Sequence, residues 1–464
     1  MDNFRFKSVS ELLGAYRARS ASPVEAVRAA YALIARIEPQ INAFCVVADE
    51  RESLRLAAES EARWREQRPL GEMDGVPVTV KDAIIAKGWP TLRGSKTADP
   101  KQPGNEDAPA VARLREAGAI ILGKTTTPEF GWKGVTDSPL SGITRNPWNL
   151  ALTPGGSSGG SAAALAAGIG HAAIGTDAGG SVRIPASFCG LVAHKATAGR
   201  VPNYPPSAVG TLGHVGPITH TVEDAALMLN LMAEPDGRDW LCLPPADTDY
   251  RVALNRGVRG LRIAYSPTLG YARVERDVAD LVAAAAKVFE ALGAQIEEVV
   301  APFEDPTDTF RVHFFAGIAH STRLLTDAQL ALLDQDLAKV LEKARKVTLT
   351  EYMTAIDKRA ALGRATRAFH DKYDLLVTPT MAVAPFEAGR LTPDGKSDDW
   401  TSWTPFTYPF NLTGQPAATV PCGFVRGNRP VGLQIVGGMY QDSLVLRAAQ
   451  AFQCARPQSR HPEL

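Results

Sequence analysis

Cysteine is scarce in this chain and widely spread: Cys45, Cys189, Cys242, Cys422 and Cys454 are five among 464 residues. No two form a Cys-x-x-Cys pair, which points away from a disulfide frame or a thiolate metal site and towards reduced thiols in a cytoplasmic protein. The eight histidines include no H-E-x-x-H or other ligand spacing, so neither a metal nor another cofactor is expected. Net charge is missing as well. Fifty basic residues balance fifty acidic ones without a basic block, so nothing favours nucleic acid or an anionic membrane as partner. The apolar runs are Ala-rich and too interrupted to span a bilayer, and the opening MDNFRFKSVSELL has no secretory apolar core.

The chain is long enough for a very large core, and 45% hydrophobic residues can fill one. Ser8 with Glu11 and Ser22 with Glu25 are spaced as capping boxes, with Pro23 at a first helical position. A charged helix follows at about 50–67. Strand Val76–Val80 ends at Lys81-Asp82, and helix Ala108–Ala117 leads through Gly118 into strand Ala119–Leu122. Helix and strand alternate again at 221–300, which predicts an α/β fold. The region at about 302–372 reads as mostly helical, with Asp327–Lys346 amphipathic. Strands at Asp374–Val377 and Val431–Val436 and a helix at Ser443–Gln453 close the chain. The Pro/Gly/Trp-rich segment 385–410 reads as an irregular lid or pocket wall. No repeat or long linker divides the chain, so residues 1–464 are read as a single domain.

Two motifs fail on context. Gly118–Thr125, GAIILGKT, satisfies G-x-x-x-x-G-K-T, but a helix precedes it and its middle residues belong to a strand. Their N–H groups are then spent on the sheet rather than on phosphate. Gly155–Gly159, GGSSG, matches G-x-S-x-G, yet no good strand leads into it and the one late histidine, His461, sits in a polar tail. His171, between Ala-rich segments, is read as structural.

The remaining signal is Thr153–Gly190, where polar residues gather at Gly155–Ser161 and Thr176–Arg183 around the Ala-rich run Ala162–Ala167. Glycines allow bare N–H groups to approach a ligand, so the clusters read as two walls of one site. Their serines serve as nucleophiles, anion ligands or helix caps. A nucleophile needs a base, and with no nearby histidine or carboxylate pair the candidate is Lys81, whose pKa burial would lower.

At this point the residues resemble the amidase signature family. The resemblance is carried by Gly75–Asp82 (GVPVTVKD), Gly123–Thr125, Arg145–Trp148 (RNPW), Pro154–Ser161 (PGGSSGGS) and Gly175–Pro185 (GTDAGGSVRIP). Outside that core, Gly213–Met228, Leu376–Pro379 and Pro416–Gly438 also look like family segments, and the resemblance is weakest at about 235–370. The family core thus falls at about 70–220, with 302–372 the variable helical part. The resemblance implies a large mixed twisted β-sheet with helices on both faces. It implies hydrolysis of the C–N bond of a carboxamide through an acyl-enzyme. It also implies a Ser–Ser–Lys triad, with Ser181 as nucleophile, Ser157 as bridging serine after a cis peptide and Lys81 as base. The N–H groups of Ala178, Gly179, Gly180 and Ser181 are expected to form the oxyanion hole, with Ser158, Asp177 and Arg183 as support.

Trp132 is expected at the acyl pocket by its position relative to the serine motifs, and Phe188, Phe314, Trp400, Trp403 and Phe406 are candidates for an apolar wall. The family also contains the glutaminase subunit of the tRNA-dependent amidotransferase. Thr127–Trp132 (TPEFGW) replaces that subunit's Met-Asp-Glu-Phe segment, which favours a free-standing amidase acting on a small-molecule amide. A catalytically silent binding or scaffold protein is the alternative of another class, and a homodimer is expected by analogy alone.

Overall fold

The computed structural model describes residues 4–464, so the first three residues of the opening stretch lie outside it. Its frame is one eleven-stranded mixed sheet. In chain order the strands are β1 (Phe44–Val47), β2 (Pro77–Lys81), β3 (Ile120–Thr125), β4 (Asp137–Ser138), β5 (Gly142–Ile143), β6 (Ala172–Asp177), β7 (Val192–Lys195), β8 (His214–Thr219), β9 (Arg262–Tyr265), β10 (Gln295–Glu298), β11 (Leu375–Pro379), β12 (Ala417–Val425) and β13 (Arg429–Gly437). The sheet runs β1-β3-β2-β6-β8-β7-β12-β13-β11-β9-β10, and β4 with β5 forms a separate hairpin. Parallel pairs β3–β2–β6 at one side and β11–β9–β10 at the other flank an antiparallel middle.

The period-two alternation of strands sends side chains to both faces. In β6, Ala172 and Ile174 join a core cluster with Val222, Leu229 and Phe452 from the helices Val222–Met232 and Asp442–Ala455. Ala173 instead packs with Ala162, Leu165 and Ala186 from the helices Gly159–Ala166 and Arg183–Cys189. Helices therefore cover both faces. The small side chains of Gly159–Ala166 let it lie fully buried on the sheet. Both expected capping boxes are present, Ser8 with Glu11 on helix Val9–Arg17 and Ser22 with Glu25 on helix Pro23–Ile41.

Within GAIILGKT, Ile120–Thr125 folds as a wholly buried strand preceded by Gly118 and Ala119, as its apolar middle predicts. The amphipathic stretch 327–346 is broken into Asp327–Leu330 and Gln335–Ala344. The first ends with Ala331 as its C-cap, and Asp334 caps the second, accepting from Asp336 N (2.9 Å) and Leu337 N (3.2 Å). The segment 385–410 is irregular with one 3₁₀ turn at Trp400–Trp403, but it is not a lid. Trp400, Trp403 and Phe406 are buried in two core clusters. All five cysteines are free. Among the described residues no helix is long and apolar enough to cross a membrane.

Candidate active site

Strand β2 delivers Lys81 at its C-terminal end, fully buried beside a cavity of about 310 Å³. Its ammonium meets two hydroxyls, donating to Ser157 Oγ (2.6 Å) and Thr176 Oγ1 (2.8 Å). Among the described residues no carboxylate contacts it. Burial lowers its pKa from 10.5 to about 7, against a weaker opposing pull from the charge of Asp177. Hydroxyls both donate and accept, so this surrounding suits a neutral amine as well as an ammonium.

Ser157 stands in the turn before helix Gly159–Ala166, and the Gly156–Ser157 peptide is cis. A side chain at Gly156 would reach within 2.6 Å of the Val135 carbonyl, so this turn closes against 135–136 with glycine there. Ser181 follows the end of β6, in the loop leading into helix Arg183–Cys189. Ser157, Thr176, Ala178 and Ser181 all line the cavity. The segments carrying the two serines are joined by Ser158 N donating to Ser181 O (3.1 Å). No hydrogen bond links Ser157 Oγ to Ser181 Oγ, and the half-buried Ser181 hydroxyl has no partner among the described residues.

The loop Ala178–Ser181 is held from beneath. Asp177 accepts from Gly180 N (2.7 Å), Val182 N (3.3 Å) and Asn411 Nδ2 (2.8 Å) and pairs with Arg183 through Nε (2.9 Å) and Nη2 (3.0 Å). Arg183, with no exposed surface, also donates to Gln434 Oε1 (2.7 Å), Asn411 Oδ1 (2.6 Å) and Thr407 O (3.0 Å). Burial alone would raise the Asp177 carboxyl, but the Arg183 guanidinium holds it well below the usual carboxylate range. Gly180 has φ +124°, and a side chain there would meet Thr407 Oγ1 at 2.4 Å.

The expectation for Gly180 is corrected by this network. Its N–H is taken by Asp177, whereas those of Ala178, Gly179 and Ser181 find no acceptor among the described residues. Ser158 bridges the clusters, its hydroxyl donating to Thr176 O (3.1 Å). Trp132 and Phe188 are fully buried in the aromatic cluster with Trp400 and Trp403, and none of these four lines the cavity; Phe314 does.

Three residues at this site carry no role that the sequence alone assigns. Thr176 lies inside the quoted polar cluster, where a hydroxyl at a strand end is the available signal. Asn411 and Gln434 are more than 220 residues from Arg183 in sequence, and nothing local marks them. His171 is buried with Nδ1 at 2.9 Å from Lys7 O, away from the cavity. Among the described residues, no group of three or more His, Cys, Asp or Glu is placed to hold a metal.

A buried lysine bonded to two hydroxyls thus lies beside a glycine loop in which the N–H groups of Ala178, Gly179 and Ser181 have no acceptor among the described residues. Residues 25–446 match the Amidase family. The chain is 39% identical to an acylamidase of Rhodococcus erythropolis over 98% of its own length and 96% of that protein's. It is 33% identical to a glutamyl-tRNA(Gln) amidotransferase component from Gloeobacter violaceus, with 97% and 96% covered. Among solved structures, a bacterial aryl acylamidase of the amidase signature enzymes superposes with a TM-score of 0.90 at 31% identity, covering 98% of this chain and 97% of that one. The chain belongs to the amidase signature family and is an amide-hydrolysing enzyme.

Proposed function

We propose that the enzyme is a free-standing amidase that cleaves a small carboxamide through an acyl-enzyme on Ser181, with Lys81 as the base and Ser157 as the relay. The observation that carries this reading is the 2.6 Å contact between a fully buried Lys81, its pKa lowered to about 7, and Ser157 Oγ. Neutral Lys81 takes the Ser157 proton, Ser157 takes that of Ser181, and the Ser181 oxygen attacks the amide carbon. The tetrahedral oxyanion is held by the uncommitted N–H groups of Ala178, Gly179 and Ser181, each such donor contributing roughly 3 kcal/mol to the transition state. The proton returns through Ser157 to the leaving nitrogen as the C–N bond breaks, and water releases the carboxylate by the same route reversed. Asp177 and Arg183 act as positioning residues, keeping the loop in register. The acylamidase and aryl acylamidase likenesses support a simple amide as substrate.

Release of ammonia or amine from aliphatic, aromatic and glutamine amides tests this directly. Wild type is expected to turn over a simple amide, and Ser181→Ala to lose at least about 10³-fold in kcat. Turnover confined to glutamine would move the assignment to the glutaminase component of the amidotransferase. Unchanged turnover by Ser181→Ala would remove the nucleophile.

A further inference from the structure

Most of the cavity wall is apolar, with Ile84, Ile85, Phe130, Val209, Phe314 and Ile318 among its residues. Among the described residues one permanently charged side chain lines it, that of Arg93. His214, on the same wall, is held neutral because burial, helped by the charge of Lys195, pushes its imidazole down to about 3. The Arg93 side chain is exposed and makes no hydrogen bond or ion pair among the described residues. Two cations bonded to neighbouring residues are matched. Lys124 pairs with Asp82 at 3.0 Å, and Arg238 pairs with Glu106 at 2.9 Å. Glu106, which accepts from the cavity residue Tyr204 at 3.3 Å, is therefore already neutralised.

The backbone of Arg93, in contrast, is fixed. Its N–H is shared between Asp82 Oδ2 (2.9 Å) and Asp82 O (3.2 Å), and its carbonyl accepts from Phe130 N (2.8 Å). Asp82 follows Lys81 directly, so one dipeptide positions both the buried amine and the platform that carries the guanidinium. A guanidinium is planar, always charged and matched to carboxylate geometry. An apolar substrate seated on these walls displaces water and strengthens a charge-assisted bond at the rim.

We propose that Arg93 binds a carboxylate on the substrate, so that the preferred amides have an apolar body ending in an acidic group. This inference rests on the amide-hydrolase reading of the same site. The acid lies on either the acyl or the amine side of the scissile bond. Because the contact is made in the bound ground state as well as in the transition state, it acts on KM rather than kcat.

Two matched pairs test it. Glutaric acid mono-p-nitroanilide against valeric p-nitroanilide places the carboxylate on the acyl side, and 4-acetamidobenzoate against acetanilide places it on the amine side. In one pair the acidic member is expected to have a kcat/KM about tenfold higher, an advantage weakened by salt. Arg93→Gln removes that advantage through KM and leaves the neutral member unchanged, while Arg93→Lys restores part of it. The pair showing the effect identifies the side. Absence of any charge preference in wild type overturns the proposal, as does an equal change for both members in Arg93→Gln. If no amide is cleaved, the hydrolase reading fails separately, and calorimetric binding of the same pairs to Ser181→Ala still decides the charge question. There, acidic and neutral members binding alike overturns the proposal.

Discussion

Lys81 and Lys124 sit on neighbouring parallel strands, Val80 of β2 opposite Lys124 of β3, and neither side chain has exposed surface. Lys124 pairs with Asp82 at 3.0 Å and also donates to Pro90 O (3.3 Å) and Thr91 Oγ1 (3.2 Å). The Lys81 ammonium meets only hydroxyls among the described residues. Burial alone therefore does not make a base. A carboxylate in contact keeps a buried ammonium charged, whereas hydroxyl partners leave deprotonation open. Lys195 sharpens the point from β7. It too is lowered to about 7, by burial first and by the Arg183 charge second, but it donates to the carbonyls of Ala196 (3.2 Å) and Gln415. Carbonyls accept and cannot return a proton, so Lys195 has no route to a nucleophile.

Removing each lysine in turn separates their roles by the largest effects. Lys81→Met is expected to lose amide turnover at least about 10³-fold while remaining folded. It should also gain stability. Unfolded Lys81 retains its proton to about 10.5 and folded Lys81 only to about 7, so wild-type stability rises with pH across that window. The gain on substitution, read by urea denaturation, should therefore be larger at pH 6 than at pH 9 by about 3 kcal/mol. Lys124→Met should do the reverse, keeping most turnover but losing about 3 kcal/mol because Asp82 is left buried and unpaired.

A finer change converts one lysine environment into the other. Thr176→Asp sets a carboxylate beside Lys81, and turnover near neutral pH should fall about 100-fold as the amine stays charged. Thr176→Val removes one hydroxyl without adding charge. A drop in kcat of about fivefold with KM unchanged is expected, and a rise in KM with kcat unchanged would place Thr176 against substrate instead.

The strand ending at Lys81 is legible in the sequence because an apolar run stops at a charged pair, and the two glycine–serine clusters because glycine marks close backbone approach. The pairing of Asp82 with Lys124 is not, since it depends on β2 lying parallel to β3 in one register, which no local pattern states. Gly180 reads wrongly for a related reason. A glycine loop announces free N–H groups, but which of them Asp177 claims depends on how Arg183, itself held by Gln434, and Asn411 converge on Asp177. Segment 385–410 looks like a pocket wall because aromatics with proline and glycine suit a surface loop as well as a core. Its burial follows from contacts with 132, 188 and 310–314 that are remote in sequence.

The pH dependence of kcat/KM for a neutral anilide, measured from pH 5 to 10 in wild type and in Thr176→Asp, tests the role of Lys81 most directly. Since Lys81 acts when neutral, activity should fall as pH drops through about 7, with unit slope, and that limb should move upward by about two units in Thr176→Asp. A profile flat across neutrality, or a limb near 7 that Thr176→Asp leaves in place, would contradict it.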